Sequence, residues 1–371
     1  MGNTKHQHFI PRSYLKNFAI ELEEGKFFVE AKHKSEELPK AKLLSIKNIC
    51  VDKNIYTLPF TEGEEKYVLE KYYADNVDAI YPSIYRLLVN PDIVDITLEQ
   101  KKQIITTTMS LFFRTPKFLN LENAEAISTL NYAAENHKDE FGNVDIELGE
   151  YQFKFHVNDI DNQANIIRIR NKVKFLKSHL EEWRLFVQAK MKCGICVFKV
   201  SDEVKLITSD NPVAIHSALG LPLNIFDPSN MIRFPLDPNH FFVIIPDIGQ
   251  EPANRIYRAE RDKRFAITTN RDMEDASEDW ILGLPGTIHA HLKDQIDYNA
   301  ETPENLQYIE DIKEKMADSV ELLKIVHEVG GIAHQRVADK VRELRKKPIN
   351  KDNFDLKKWI RTLEENGFST E

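Results

Sequence analysis

The sequence predicts an α+β fold, a bundle of long helices packed on a small, mainly antiparallel sheet, with a helical extension at the C-terminus. Three observations carry this expectation. Apolar residues recur three and four apart between about residues 63 and 192, the helical period. After Cys193, short apolar runs bounded by turn residues replace that pattern, as strands do. From Pro303 onward the helical period returns and dominates. We therefore expect a single core domain over 1–300, with a helical half (63–192) and a sheet half (193–300), followed by an extension over 301–371.

The elements follow in order. Pro11 suits a first helical turn, and Tyr14, Leu15 and Phe18 continue at helical spacing. Strands are expected at Lys26–Ala31 and Ile55–Pro59. A long helix over 64–88 carries the stripe Leu69, Tyr73, Val77, Ile80, Ile84 and Leu87, with Pro82 kinking it. Thr97-Leu98-Glu99-Gln100 has the form of a capping box and should open a helix that runs to the break at Pro116. A third helix is expected over 122–137, then a hairpin or irregular loop to Asp161. Ile167, Leu176, Leu180, Trp183 and Val187 mark another long helix ending near Lys192. Strands are expected at Ile195–Val200, Val204–Thr208, Ile232–Phe234 and Phe241–Ile245, and helices at Asp272–Leu282, beyond Pro303 and at Phe354–Leu363.

Composition narrows the class. The chain has 371 residues, 42% hydrophobic and 29% charged, values of an ordinary globular protein able to bury a core. No apolar run is long enough to span a bilayer, and the first residues lack the apolar stretch of a secretory leader. Cys50, Cys193 and Cys196 are too few and too uneven for a disulfide framework, so reduced thiols and a cytoplasmic location are expected. A net charge of −9 opposes general coating of nucleic acid while leaving room for a local basic patch. The C-terminal helices are the surface expected to support a homo-oligomer.

Several polar residues could carry chemistry. His6 and His8 alternate along an expected strand, so they face one side and could share a metal; the alternative is a backbone-bonded imidazole beside a solvated one. Asp210, in Ser209-Asp210-Asn211-Pro212, follows an apolar strand, where it either serves chemistry or closes an Asx-turn. Arg114 ends an apolar face next to Thr115-Pro116, where it either clamps an anion or pairs with Glu70 or Asp78. Cys193 and Cys196 have C-x-x-C spacing, but they run into a strand without a second pair, which favours buried thiols. His289-Ala290-His291 is a second H-x-H, and Glu30-Ala31-Lys32 is half of a metal-nuclease motif without its upstream aspartate. Phosphate-loop, dinucleotide, serine-hydrolase and zincin motifs are absent.

Gln7-His8-Phe9-Ile10-Pro11 with Tyr14-Leu15 and Phe18 resembles the opening signature of the bacterial and fungal domain-of-unknown-function family 4238. Asn54-Ile55-Tyr56, Leu69-Glu70-Lys71, Phe113-Arg114-Thr115-Pro116, Ile207 to Pro212 and Phe234-Pro235-Leu236-Asp237-Pro238 are similar to its later landmarks, in the same order. The resemblance covers roughly Lys5 to His291 and implies a shared polar site without naming a reaction. Members often show His-His where this chain has Gln7-His8.

Two functions fit these residue types. In the first, His8, Glu70, Arg114 and Asp210 converge in a cleft as the catalytic set of a metal-assisted phosphoester or phosphodiester hydrolase. His6, His8 and Asp210 would then hold a divalent metal, and Arg114 would stabilise anionic charge. In the second, the same residues form a structural hydrogen-bonded network in a non-catalytic binding or interaction module.

Overall fold

The computed structural model describes residues 6–35, 41–58, 62–148, 151–216, 225–226, 230–245, 254–329, 334–346, 360 and 363–370. The N-terminal strands are β1 (His6–His8), β2 (Ile20–Glu23), β3 (Lys26–His33), β4 (Lys42–Ser45) and β5 (Val51–Lys53). A hairpin follows in β6 (Asn143–Leu148) and β7 (Tyr151–His156). The later strands are β8 (Gly194–Val200), β9 (Thr208–Ser209), β10 (Ala214–His216), β11 (Met231–Pro235), β12 (His240–Ile245), β13 (Ile256–Arg261) and β14 (Trp280–Gly283). The helices are α1 (Arg12–Leu15), α2 (Val68–Tyr73), α3 (Tyr81–Val89), α4 (Leu98–Phe113), α5 (Pro116–Asn136) and α6 (Ile160–Lys190), then α7 (Lys263–Ala276), α8 (Thr287–Asn299), α9 (Pro303–Val329) and α10 (Gln335–Arg345).

The class is α+β, with two five-stranded sheets where the sequence suggested one. The first runs β10-β11-β12-β8-β13, antiparallel except for the parallel β8–β13 pair. The second runs β2-β3-β14-β9 with β4 also on β3. It joins the two ends of the core, because β14 places Trp280 opposite His33 on one side and Ile281 opposite Ser209 on the other. That second pairing delivers the residue after β9, Asp210, beside Trp280.

One large apolar cluster binds these layers. Tyr14 and Phe18, Tyr73 and Tyr81, Phe113 and Phe186, and Phe234 and Phe242 are essentially inaccessible within it. Full burial of such a ring is worth roughly 1.5–3 kcal/mol. A second cluster seals the β6–β7 hairpin against α5 and α6. In the C-terminal region Leu322, Val326, Val337, Val341 and Leu344 form a cluster of their own. No helix among the described residues is long and apolar enough to cross a membrane.

Several elements follow the sequence closely. The Thr97 hydroxyl accepts from the Gln100 N–H at 3.1 Å and the Gln100 side chain accepts from the Thr97 N–H at 2.8 Å, the reciprocal capping box that opens α4. The stretch 64–88 instead breaks into a 3₁₀ turn, α2, a π-helical turn over Ala74–Asp78 and α3. Pro82 lies in the first turn of α3, where its missing N–H costs nothing, rather than kinking a continuous helix. Pro116 likewise starts α5, under a Thr115 cap, so that helix begins six residues before the expected one.

Three expected elements change type. Asn54 turns left-handed (φ 56), so Ile55 and Tyr56 enter the core from a turn and the strand lies earlier, in β5. Val204 to Ile207 do not form a ladder: the Leu206 N–H donates to the Pro238 carbonyl and the Ile207 N–H to the Asn270 side chain. α7 stops at Ala276 and the chain returns as β14, so 280–282 are strand rather than helix. The last expected helix, at 354–363, lies mostly outside the described residues.

Candidate functional site

Gln7 is buried because it occupies the inward face of β1, between exposed His6 and half-buried His8. Its amide oxygen accepts from the Tyr56 N–H at 2.8 Å, and its nitrogen donates to Glu70 Oε2 at 2.8 Å and Thr57 Oγ1 at 3.3 Å. One side chain thus ties β1, the turn after β5 and α2 together. His8 Nε2 donates to the Ile46 carbonyl at 3.0 Å. Burial lowers the His8 pKa, helped by Arg12 and Arg114 and opposed by the Ile46 bond, so the imidazole is neutral near pH 7 with Nδ1 as its acceptor.

Arg114 follows the last turn of α4 with its guanidinium buried. It donates to Asp78 Oδ1 at 2.7 Å and to the His8 carbonyl at 2.6 Å. Its guanidinium carbon lies 4.5 Å from the Tyr73 ring centroid, and the Tyr56 hydroxyl donates to the Arg114 carbonyl. Burial works to lower its pKa, and Tyr56, Asp78 and Tyr73 more than reverse that, so it stays charged. Tyr73 continues the chain of contacts, its hydroxyl donating at 2.6 Å to His179 Nε2, whose Nδ1–H donates to the Phe175 carbonyl.

Asp210 belongs to a separate arrangement. Its Oδ1 accepts from the Glu278 N–H at 2.9 Å and its Oδ2 from the N–H groups of Asp279 and Trp280 at 2.8 and 3.1 Å. Burial pushes its pKa up against the pull of these three donors. The carboxylate therefore caps a turn 68 to 70 residues away rather than its own Asx-turn. Beside it opens a cleft of about 510 Å³. Apolar walls come from Phe9, Ile49 and Trp280, and Asp52, Lys117, Glu278 and Asp279 contribute charge. Lys117 pairs with Glu278 at 3.1 Å and donates to the Ala276 carbonyl at 3.1 Å. Cys50 also lines the cleft, but burial, together with the charge of Asp210, raises the pKa of its thiol well above the ordinary value. It is a poor nucleophile.

The expected residues thus split into two groups. Arg114 touches His8 through the histidine carbonyl, and Gln7 connects β1 to Glu70. Asp210 holds the far wall of the cleft. Among the described residues no group of three or more His, Cys, Asp or Glu is arranged to hold a metal ion, so His6, His8 and Asp210 do not assemble as a ligand set. Of the two roles open to Arg114, the structure has the pair with Asp78. His291 on α8 bonds Glu274 Oε2 on α7 at 3.0 Å, and Glu30 accepts from the Ile288 N–H of α8, so neither joins His8. Cys193 and Cys196 are free and buried.

Sequence reasoning missed Gln7, Lys117, Trp280 and the capped turn. The strand alternation that put His6 and His8 on one face already placed Gln7 on the other, buried one. Nothing local marks 278–280 as the partner of Asp210. The remaining landmarks are pins as well. Tyr14 donates to the Pro235 carbonyl at 2.9 Å and meets Thr208 Oγ1 at 2.6 Å. Asp237 accepts from the Tyr85 hydroxyl at 2.7 Å and from the Asn239 and His240 N–H groups at 2.6 and 2.8 Å.

Neither a curated protein nor a solved structure matches the chain. A family profile described as "Protein of unknown function (DUF4238)" matches residues 6–287, a span that holds both polar groups and the cleft and stops before α9. The chain belongs to the DUF4238 family.

Proposed function

We propose that this protein is a cytoplasmic, non-catalytic binding module whose cleft takes a positively charged group on an apolar stem, such as a lysine or arginine side chain of a partner. The observation that carries this reading is the state of Asp210. Both its oxygens are occupied by backbone N–H groups of the turn that forms the cleft wall, so it acts as a strut for a binding surface. The cleft's charge supports the choice of ligand. Asp52, Asp210, Glu278 and Asp279 face a single lysine, already paired with Glu278, while Trp280 and Phe9 offer apolar surface.

The metal-assisted hydrolase has less behind it. His8 and Arg114 are turned to structural partners, and no described carboxylate joins His6 and His8.

Calorimetric titration with N-acetyl-arginine amide, N-acetyl-lysine amide and N-acetyl-glutamate amide tests the reading. The two cationic probes should bind, the acidic one should not, and Asp52→Asn with Asp279→Asn should weaken binding. Equal binding of all three would remove the charge argument. Turnover of bis(4-nitrophenyl) phosphate with Mn²⁺, lost in Asp210→Asn at unchanged melting temperature, would replace this reading with the hydrolase.

A further inference from the structure

Two oppositely charged segments of this acidic chain each expose large apolar side chains. On α6, residues 162–180 contain Arg168, Arg170, Lys172, Lys174 and Lys177 and no Asp or Glu. On the outer face of that stretch Ile166 and Ile169 are 50% and 59% exposed, Val173 is half-buried, and the three are spaced three and four apart. Arg170, Lys174 and Lys177 are exposed beside them. The opposite face is committed to the core through Ile167, Phe175 and His179.

The second segment is the corner between α8 and α9. Residues 294–312 contain Asp294, Asp297, Glu301, Glu304, Glu310 and Asp311 and no Lys or Arg. Here Ile296, Leu306 and Ile309 are 70%, 52% and 45% exposed. Within one chain α6 packs on α4 and α5, whereas α8 packs on α7, β3 and β14, so the two surfaces belong to different packing neighbourhoods.

We infer that these surfaces bind each other between two copies of the chain, α6 of one copy lying on the α8–α9 corner of the second and the reverse. Apolar residues three and four apart flanked by one sign of charge form the seam along which a helix docks, and the flanking charges select the partner. A nucleic acid would use the cations and leave Ile166 and Ile169 facing water. A second copy uses both, because its corner supplies exposed Leu306 and Ile309 with acidic neighbours. Reciprocal use of two different surfaces closes into a two-fold pair with no edge left for further growth. Since α6 lies inside the family-matched region and α9 beyond it, the pairing joins the shared core of one copy to the C-terminal extension of the other.

Charge-swap mixing tests the pairing in the full-length chain, read by sedimentation equilibrium, with circular dichroism confirming that each variant folds. The wild type should be a dimer that dissociates as salt rises. Arg170→Glu/Lys174→Glu and Glu304→Lys/Glu310→Lys should each be monomeric, with self-association weakened by roughly tenfold or more. Mixed together, they should form a heterodimer, because each acidic α6 then meets a basic corner and each basic α6 an acidic one. A wild type that stays monomeric at high micromolar concentration overturns the inference. So does a dimer that survives both variants, or a mixture that stays monomeric.

Discussion

Arg114 and Asp78 form an ion pair at 2.7 Å in which the guanidinium is buried and the carboxylate is about one-third exposed. The pair joins the end of α4 to the π-helical turn between α2 and α3, and the second guanidinium nitrogen fastens β1 through the His8 carbonyl. Three segments distant in sequence meet at one planar cation. Lysine cannot reproduce that fork, because its three donors sit on a single nitrogen.

Removing Arg114 should therefore be costly. Arg114→Ala leaves Asp78 and the His8 carbonyl without their donor and should cost about 3–5 kcal/mol in urea unfolding, with Arg114→Lys recovering little. Asp78→Asn should cost less, since its amide oxygen can still accept from the guanidinium, although the buried cation loses its counter-charge. A double-mutant cycle should give a clear coupling between the two positions. Additive effects would show that the pair is incidental.

Asp210→Ala removes the acceptor of three N–H groups, one of which belongs to Trp280 in the middle of the second sheet. The expected loss is about 1–3 kcal/mol for each donor left buried and unpaired. Amide exchange at Glu278, Asp279 and Trp280 should accelerate relative to the rest of β14. Unchanged protection there would mean that the turn holds its shape without the carboxylate.

His179 makes stability depend on pH. Burial lowers its pKa to about 4 from the ordinary histidine value of about 6.5, with the Phe175 carbonyl pulling the other way. Between those values the unfolded chain binds a proton that the folded chain does not, so stability falls as the pH drops through the window. The full shift corresponds to at most roughly 3 kcal/mol. Urea midpoints of the wild type should decline from neutral pH towards about pH 4 more steeply than those of His179→Asn. Parallel curves for the two proteins would exclude His179 as the source.

Local chemistry was legible wherever a residue's partner lies within a few positions. The Thr97–Gln100 box, the helical stripe of α6 and the strands β8, β11 and β12 needed only short-range pattern. The boundaries that failed were decided by distant groups. Val204 to Ile207 reads as a strand because the run is mostly apolar, yet Pro238 takes the Leu206 N–H and Asn270 takes the Ile207 N–H and the Lys205 carbonyl, which leaves no ladder. Residues 278–280 read as helix because nothing nearby announces that Asp210 will cap their N–H groups. His6, His8, Arg114 and Asp210 stand out in the sequence, and each admits two roles. Only the identity of the partner could choose between them.

By itself the sequence determined the α+β class, the family, the helical C-terminus and the acidic balance. These rest on periodicity, composition and the order of short motifs, all of which are properties of neighbours along the chain. The tertiary structure decided that β3 pairs with β14, that Gln7 rather than His6 faces the core, and that Asp210 braces the cleft while Arg114 pairs with Asp78. Each of these is a match between donors and acceptors that are at least 36 residues apart in sequence. The energy of such a match depends on separation and burial, and neither exists until the chain has folded.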